Sequence, residues 1–413
     1  AFDIADGLKK LTPYSKYLYF MGEEELSQEE IQTLQESQQW VSEQLDIPSA
    51  TIILDIAPEG TPIHAITGIN GFGCIVASKS TLTNKPLLVH EITHCSLMSR
   101  ALFLDEGLAT FFQHEVNGET VSYGQTYWDR PSIAALIEID WSDDPYFLKV
   151  LNPLNDPSTL EEADLRVHHL GTHVIKAILE KNTISDFAKA LPRLKAQLRE
   201  GKTAEVFKSL FSVDVWEMDL AILKNSQPDI SKPTDTDTLT EIAVSALALE
   251  DKEVAKLWLP YARIMAYDNT EDLISLIKLL ILLGNTRENP REGSPYRSEA
   301  LAAMELAESR GIDAKSQEFF DGYKIAFKLR NAGHSIELRS VGVLASKAFQ
   351  DLLLKYPDDP EIIIATAKAQ IKTDYDLVSM EDWHQKLTPL VSNPLYAGSA
   401  KFFLEHERFV VEN

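Results

Sequence analysis

Cysteine is nearly absent from this chain: of its 413 residues, only Cys74 and Cys95 carry a thiol. Two thiols can form at most one bridge and cannot build a disulfide framework. Basic residues are in deficit too, leaving a formal net charge of −24. An acidic surface repels phosphate, which argues against nucleic acid as a partner. Long hydrophobic runs are also missing. The longest, Leu273 to Leu283, is broken by Ser275 and Lys278 and falls short of the ~20 residues a transmembrane helix needs. No membrane span is expected. The chain begins at Ala1 without a Met, a basic segment or an apolar segment of the signal-peptide type. A removed targeting segment and a trimmed chain read alike, so exported and cytoplasmic locations both stay open. What is present is the balance of a folded protein, 44% hydrophobic and 25% charged, and a length that suggests two or three domains.

The pattern along the chain places strands early and helices thereafter. After a short lead-in, Ser27-Gln28-Glu29-Glu30 offers an N-cap followed by acidic residues. Ile31, Leu34, Trp40, Val41 and Leu45 then recur at roughly helical spacing. The β-branched run Thr51 to Ile56, the segment His64 to Ile69 and the segment Cys74 to Ser78 read as three strands, with the glycines of Gly71-Phe72-Gly73 at a turn. Asn84-Lys85-Pro86 opens a helix expected to run to about Leu97, and a second is expected from about Asp105 to Glu115. An irregular stretch, Val121 to Pro157, interrupts the helical signals that continue to about Leu223. The polar segment from Ser226 to Asp237, with Pro228 and Pro233, reads as a linker. Beyond it the chain reads as paired helices. Ala348, Phe349, Leu352, Leu353 and Leu354 followed by Tyr356-Pro357-Asp358-Asp359-Pro360-Glu361 are similar to a helix junction of a tetratricopeptide-type repeat. The other helices lack that repeat's regular signature, so an irregular bundle is the alternative.

Chemistry concentrates in Leu87-Leu88-Val89-His90-Glu91-Ile92-Thr93-His94. Histidines four apart on a helix share a face, so both imidazoles can reach one tetrahedral metal ion. Glu91, rotated by roughly a hundred degrees from His90, can hold a water beside that metal without being a ligand. Separated from His94 by eleven residues, in Phe103-Leu104-Asp105-Glu106-Gly107-Leu108-Ala109, comes a third candidate ligand, Glu106. Eleven residues suffice for a helix end, a loop and the first turn of an antiparallel helix. Small Gly107 and Ala109 would let two helices approach closely. Alone, Glu106 would be an ordinary carboxylate favoured by a helix dipole. Downstream of His90-Glu91-x-x-His94 it reads as a metal ligand.

His90-Glu91-x-x-His94 with a downstream Leu-Asp-Glu-Gly-Leu-Ala resembles the gluzincin zinc metallopeptidases, and its short spacing is more like the compact bacterial peptidase-MA-like proteins. The resemblance covers roughly residues 50 to 224. It implies Zn²⁺ held by His90, His94 and Glu106, with Glu91 as the general base. A catalytic Tyr of the family falls at His168, within Val167-His168-His169-Leu170-Gly171-Thr172-His173. Either residue type can donate a hydrogen bond to an oxyanion; His169 and, in the irregular stretch, Tyr123 are alternatives, and Tyr127 also lies there. Family aminopeptidases carry a Gly-x-Met-Glu-Asn motif on the strand before the zinc helix. Gly71-Phe72-Gly73-Cys74-Ile75-Val76 has no acid there, which points to an endopeptidase. The strand Cys74 to Ser78 would then pair with the substrate backbone.

The expectation is therefore an α+β chain. A gluzincin-type, thermolysin-like domain fills residues 1–225, with a β-rich part at about 50–80, zinc helices at about 84–116 and a helical lobe at about 160–224. A linker at 226–238 leads to an all-α, repeat-like domain at 239–413. The expected substrate is a peptide or protein, and the helical domain is a candidate surface for a protein partner. The rival reading is an inactive gluzincin-fold scaffold that binds partners through its helices. Asp105 reads either as an orienter of a ligand histidine or as an N-cap. His173, His64 and His114 read as structural, and Cys95 as a buried small hydrophobe, with a Cys74–Cys95 bridge left open.

Overall fold

The computed structural model describes residues 11–21, 25–69, 72–97, 102–120, 130–141, 160–198, 202–226, 252–267, 269–284, 294–331, 347–372, 380–393 and 396–405. The chain forms two compact units. The first comprises Ala1–Tyr127, Leu136–Arg199 and Thr203–Ser226; the second comprises Trp128–Ala135, Glu200–Lys202 and Gln227–Asn413. From residue 227 the expected linker lies outside the described residues. The fold class is α+β, with many helices and one small mixed sheet.

Five strands build the sheet in the first unit: β1 (Thr12–Pro13), β2 (Leu18–Met21), β3 (Thr51–Ala57), β4 (His64–Ile69) and β5 (Phe72–Ser78). Their order is β1-β2-β3-β5-β4. β2, β3 and β5 run parallel, while β1 and β4 flank them antiparallel. The sequence reading took β1 and β2 as lead-in. Their signal is short, and only alternation marks it: Leu18 and Phe20 are each 2% exposed while Tyr19 between them is half-buried. Helix α1 (Gln28–Leu45) joins β2 to parallel β3 and begins in a complete capping box between Ser27 and Glu30. Ile52, Leu54, Ile75 and Ala77 lie on one face of the sheet and are fully buried.

Helix α2 (Lys85–Leu97) packs against β4 and β5 and against α1. The Asn84 side chain accepts from the Leu87 amide at 3.3 Å, capping this helix. Every residue from Leu88 to Cys95 is buried, so α2 has no solvent face. Helix α3 (Leu102–Asn117) packs between α2 and α5 (Leu160–Leu179). α3 begins three residues before Asp105, which is therefore inside the helix rather than its N-cap, and Glu106 sits past the first turn. Within the stretch read as irregular, Ile133–Trp141 forms helix α4, opened by Ser132, whose hydroxyl accepts from the Ala135 amide at 3.2 Å. Ile133 to Ile137 are buried on every side, so no amphipathic period marks this helix in the sequence. Helices α6 (Ile184–Gln197), α7 (Thr203–Phe211) and α8 (Val215–Asn225) complete the unit.

The regular structure of the second unit is helical among its described residues. Its helices are α9 (Lys252–Ala266), α10 (Thr270–Gly284), α11 (Ser294–Arg310), α12 (Ala314–Asn331), α13 (Pro360–Lys372), α14 (Met380–Leu387) and α15 (Ala397–Glu405), besides a helical stretch at 347–355. The longest apolar run of the sequence belongs to α10, where Leu273, Ile277 and Leu280 are fully buried. No helix among the described residues is long and apolar enough to cross a membrane. At the repeat-like junction, the Asp359 carboxylate accepts from the Glu361 and Ile362 amides and caps α13. Phe349, Leu352 and Leu353 are buried there, but Leu354 is 77% exposed and takes no part in the core. An ion pair lies at the centre of this unit: Arg263 and Glu299, each 1% exposed, meet through two contacts of 2.5 and 2.7 Å. Arg263 also donates to the Arg130 carbonyl at 2.5 Å, and Glu299 accepts from the Ser132 amide at 3.2 Å. Removing one partner strands the other charge without water. Glu299→Ala is expected to destabilise this unit by about 3–5 kcal/mol, read as a lower urea midpoint, with much of the loss recovered by a paired Arg263→Met, Glu299→Leu replacement.

Candidate metal centre

A helix buried on all sides is normally apolar, yet α2 carries His90, Glu91 and His94 at 8%, 8% and 9% exposure. Buried polar groups need partners, and the two histidines find one another. His90 Nε2 and His94 Nε2 are 3.2 Å apart, as one-turn spacing on a helix allows. Each lies 3.2 Å from Glu106 Oε2 on α3. The three donor atoms thus form a nearly equilateral triangle. A tetrahedral zinc ion with bonds of 2.0–2.2 Å has ligand–ligand edges of about 3.3–3.6 Å, so the triangle comes close to the dimensions of one face of such a site.

The same cluster is poorly satisfied as a set of hydrogen bonds. Glu106 Oε2 is buried and, despite three nitrogens crowded around it, has no aligned hydrogen-bond partner; His90 Nδ1 is buried and unpartnered too. A buried carboxylate oxygen that two imidazole nitrogens approach to 3.2 Å without an aligned hydrogen bond suits a cation held among them. Among the described residues, His90, His94 and Glu106 are the group of possible metal ligands whose donor atoms all lie within 4.8 Å of one another.

His168 on α5 also reaches the cluster. Its Nε2 lies 2.8 Å from Glu106 Oε2, but it stands outside the mutually close set of three. Its Nδ1 lies 2.8 Å from the Asp164 carbonyl, one turn earlier on the helix, so the ring is held with Nε2 directed at the site. Asp164 is a residue that sequence reasoning passed over; its spacing of four from His168 was the available signal. Of the neighbouring histidines, His168 rather than His169 approaches Glu106. Burial, and then the charges of His114 and His168, push the His169 pKa down. Tyr123 and Tyr127 lie outside the described residues. His173 is buried, and His114 pairs with Glu119 at 3.2 Å.

The electrostatics follow from the crowding. Burial pushes His94 down, but contact with Glu106 and the charges of Glu106, Asp105 and Glu91 outweigh it and raise the imidazole to about 9. Asp105, 6% exposed, thus acts on a candidate ligand through its charge. Burial pushes Glu106 up, but His168, His90 and His94 hold it far below the carboxylate range. His168 is raised by Glu106 and Asp164 against its own burial.

The cysteines are free. Cys95 follows His94 and packs on Gly73, where an added Cβ would lie 2.3 Å from Cys95 Sγ. Strand alternation turns Cys74, next to Gly73, to the opposite face of β5, which accounts for the missing bridge. Burial and the Glu91 charge push the Cys95 thiol up, so it is an inert core group. The expected substrate-pairing role of β5 is also overturned: β3 and β5 pair on one side, β4 and β5 on the other. With both edges occupied, β5 has no backbone groups to offer. The strands at the two ends of the sheet are β1 and β4, and β4 lies against α2.

No family model, curated protein or solved structure matches this chain.

A protonated His94 must lose its proton before it can bind a metal. Zinc uptake at pH 7.5 is therefore expected to release close to one proton per site, and affinity should rise with pH towards about 9. Titration calorimetry in buffers of differing ionisation enthalpy measures the release. Metal analysis should find about one zinc per chain in the wild type and none in Glu106→Ala.

Proposed function

We propose that the first unit is a gluzincin-type zinc metallopeptidase that cuts within peptide chains. The reading is carried by one observation: His90 Nε2, His94 Nε2 and Glu106 Oε2 form a triangle with 3.2 Å edges, and its two histidine corners stand on a helix that also buries Glu91. Zinc held by these three residues would polarise a scissile carbonyl and make a water molecule more acidic. Glu91 takes the proton as water attacks and passes it to the leaving amine. His168 donates from Nε2 to the oxyanion. Because Nδ1 is engaged by the Asp164 carbonyl, that donation needs the imidazolium, which the Glu106 and Asp164 carboxylates favour.

An extended substrate would add to the free edge of β4 as a further strand. β5 carries no carboxylate near its start to hold a free amine, which supports an endopeptidase over an aminopeptidase. The helical second unit remains the candidate surface for a protein partner.

Glu91→Gln is expected to lower turnover of a cleaved peptide by about 10²–10⁴-fold while zinc stays bound. A Glu91→Gln protein that cleaves as well as the wild type would remove Glu91 from the reaction. A zinc-loaded wild type that cleaves nothing in a broad peptide library would favour the inactive scaffold.

A further inference from the structure

Glu106 and His168 come from different helices, yet they meet at 2.8 Å. The residues beside them explain how closely the two helices can come. A Cβ added to Gly107 would lie 2.5 Å from the backbone carbon of Gly171, and one added to Gly171 would lie 2.6 Å from the Phe103 carbonyl oxygen. α3 and α5 therefore touch backbone to backbone, with Gly107 directly after Glu106 and Gly171 about one turn after His168. The obstructing atoms are main chain and cannot swing aside. Neither glycine has a positive φ, so close approach rather than backbone conformation accounts for both.

Thr172 lies at this crossing and is fully buried. Its hydroxyl donates to the His168 carbonyl at 2.8 Å and reaches the Gly107 carbonyl on α3 at 3.3 Å. A threonine bonding back to its own helix is common; a second acceptor on the neighbouring helix is not required by that habit. One hydroxyl thus joins the backbone of His168 to the residue adjoining Glu106. Valine would fill the same volume with no polar atom to bury, so the hydroxyl's place here calls for a use.

We propose that Thr172 is a positioning residue of the metal centre: its hydroxyl sets the register of α5 on α3 and so holds Glu106 in place relative to His168, His90 and His94. The inference rests on the metal reading above. Groups that orient ligands without touching the metal typically change metal affinity about 10–100-fold when removed.

The test compares Thr172→Ser with Thr172→Ala, which differ only in the hydroxyl, and adds Thr172→Val as the isosteric variant. Zinc affinity is measured by competition with a chromophoric chelator, and ligand geometry by the visible absorption of Co²⁺ added in place of zinc. Thr172→Ser should bind zinc like the wild type. Thr172→Ala and Thr172→Val should bind about 10–100-fold more weakly, with a shifted Co²⁺ band. If all three variants bind zinc within twofold of the wild type and share its spectrum, Thr172 is only a packing residue. Equal weakening in the serine and alanine variants would also overturn the proposal, since methyl loss rather than hydroxyl loss would be responsible. A wild type that binds neither metal overturns the metal reading itself, and this inference with it.

Discussion

Three imidazole nitrogens crowd around one carboxylate oxygen of Glu106, at 2.8–3.2 Å, and much of the first unit exists to make that crowding possible. A buried carboxylate costs several kcal/mol unless compensated. Here positive charge on the histidines compensates it, pulling Glu106 down and raising His94 and His168. A divalent cation among the same atoms would do so better, since it can satisfy lone pairs that the imidazoles leave unaligned. The same buried charge makes the site sensitive to helix placement, because a low-dielectric setting magnifies small changes in distance.

The scaffold around the site holds its helices by contact at the main chain. Gly73 lets α2 lie on β5 through Cys95, and Gly107 and Gly171 let α3 lie on α5. Each contact sits next to a candidate metal ligand: Cys95 follows His94, and Gly107 follows Glu106. Close packing resists deformation, so side chains attached to such contacts have little freedom to drift. β4, by contrast, ends the sheet with one edge unpaired among the described residues, as β1 does on the other side.

Much of the first unit was legible in its sequence. The capping box at Ser27 and Glu30, the Asn84 cap, three strands and the helix carrying His90 and His94 all have local signals. Each depends on residues within a few positions of one another. What was not legible depended on burial from all sides or on very short elements. α4 shows no period because its residues from Ile133 to Ile137 face no solvent. β2 is too short for alternation to stand out. The role expected for β5 failed because sheet order is a long-range property: nothing in Cys74 to Ser78 reveals that β3 and β4 occupy both of its edges. Leu354 belongs to the apolar pattern of the repeat-like junction, but its helix turns it outward.

His90, Glu91 and His94 were set by the sequence alone, because a helix repeats every 3.6 residues wherever it lies. Glu106 was nameable as their partner, though not its distance from them. Bringing α5 to the site was a tertiary decision, made where Gly107 meets Gly171 and where the Thr172 hydroxyl spans two helices. Gly171 is 64 residues from Gly107 in the chain, and only packing brings them together. Local spacing can determine which side chains share a helix face; which face meets which is settled by what can be excluded from water.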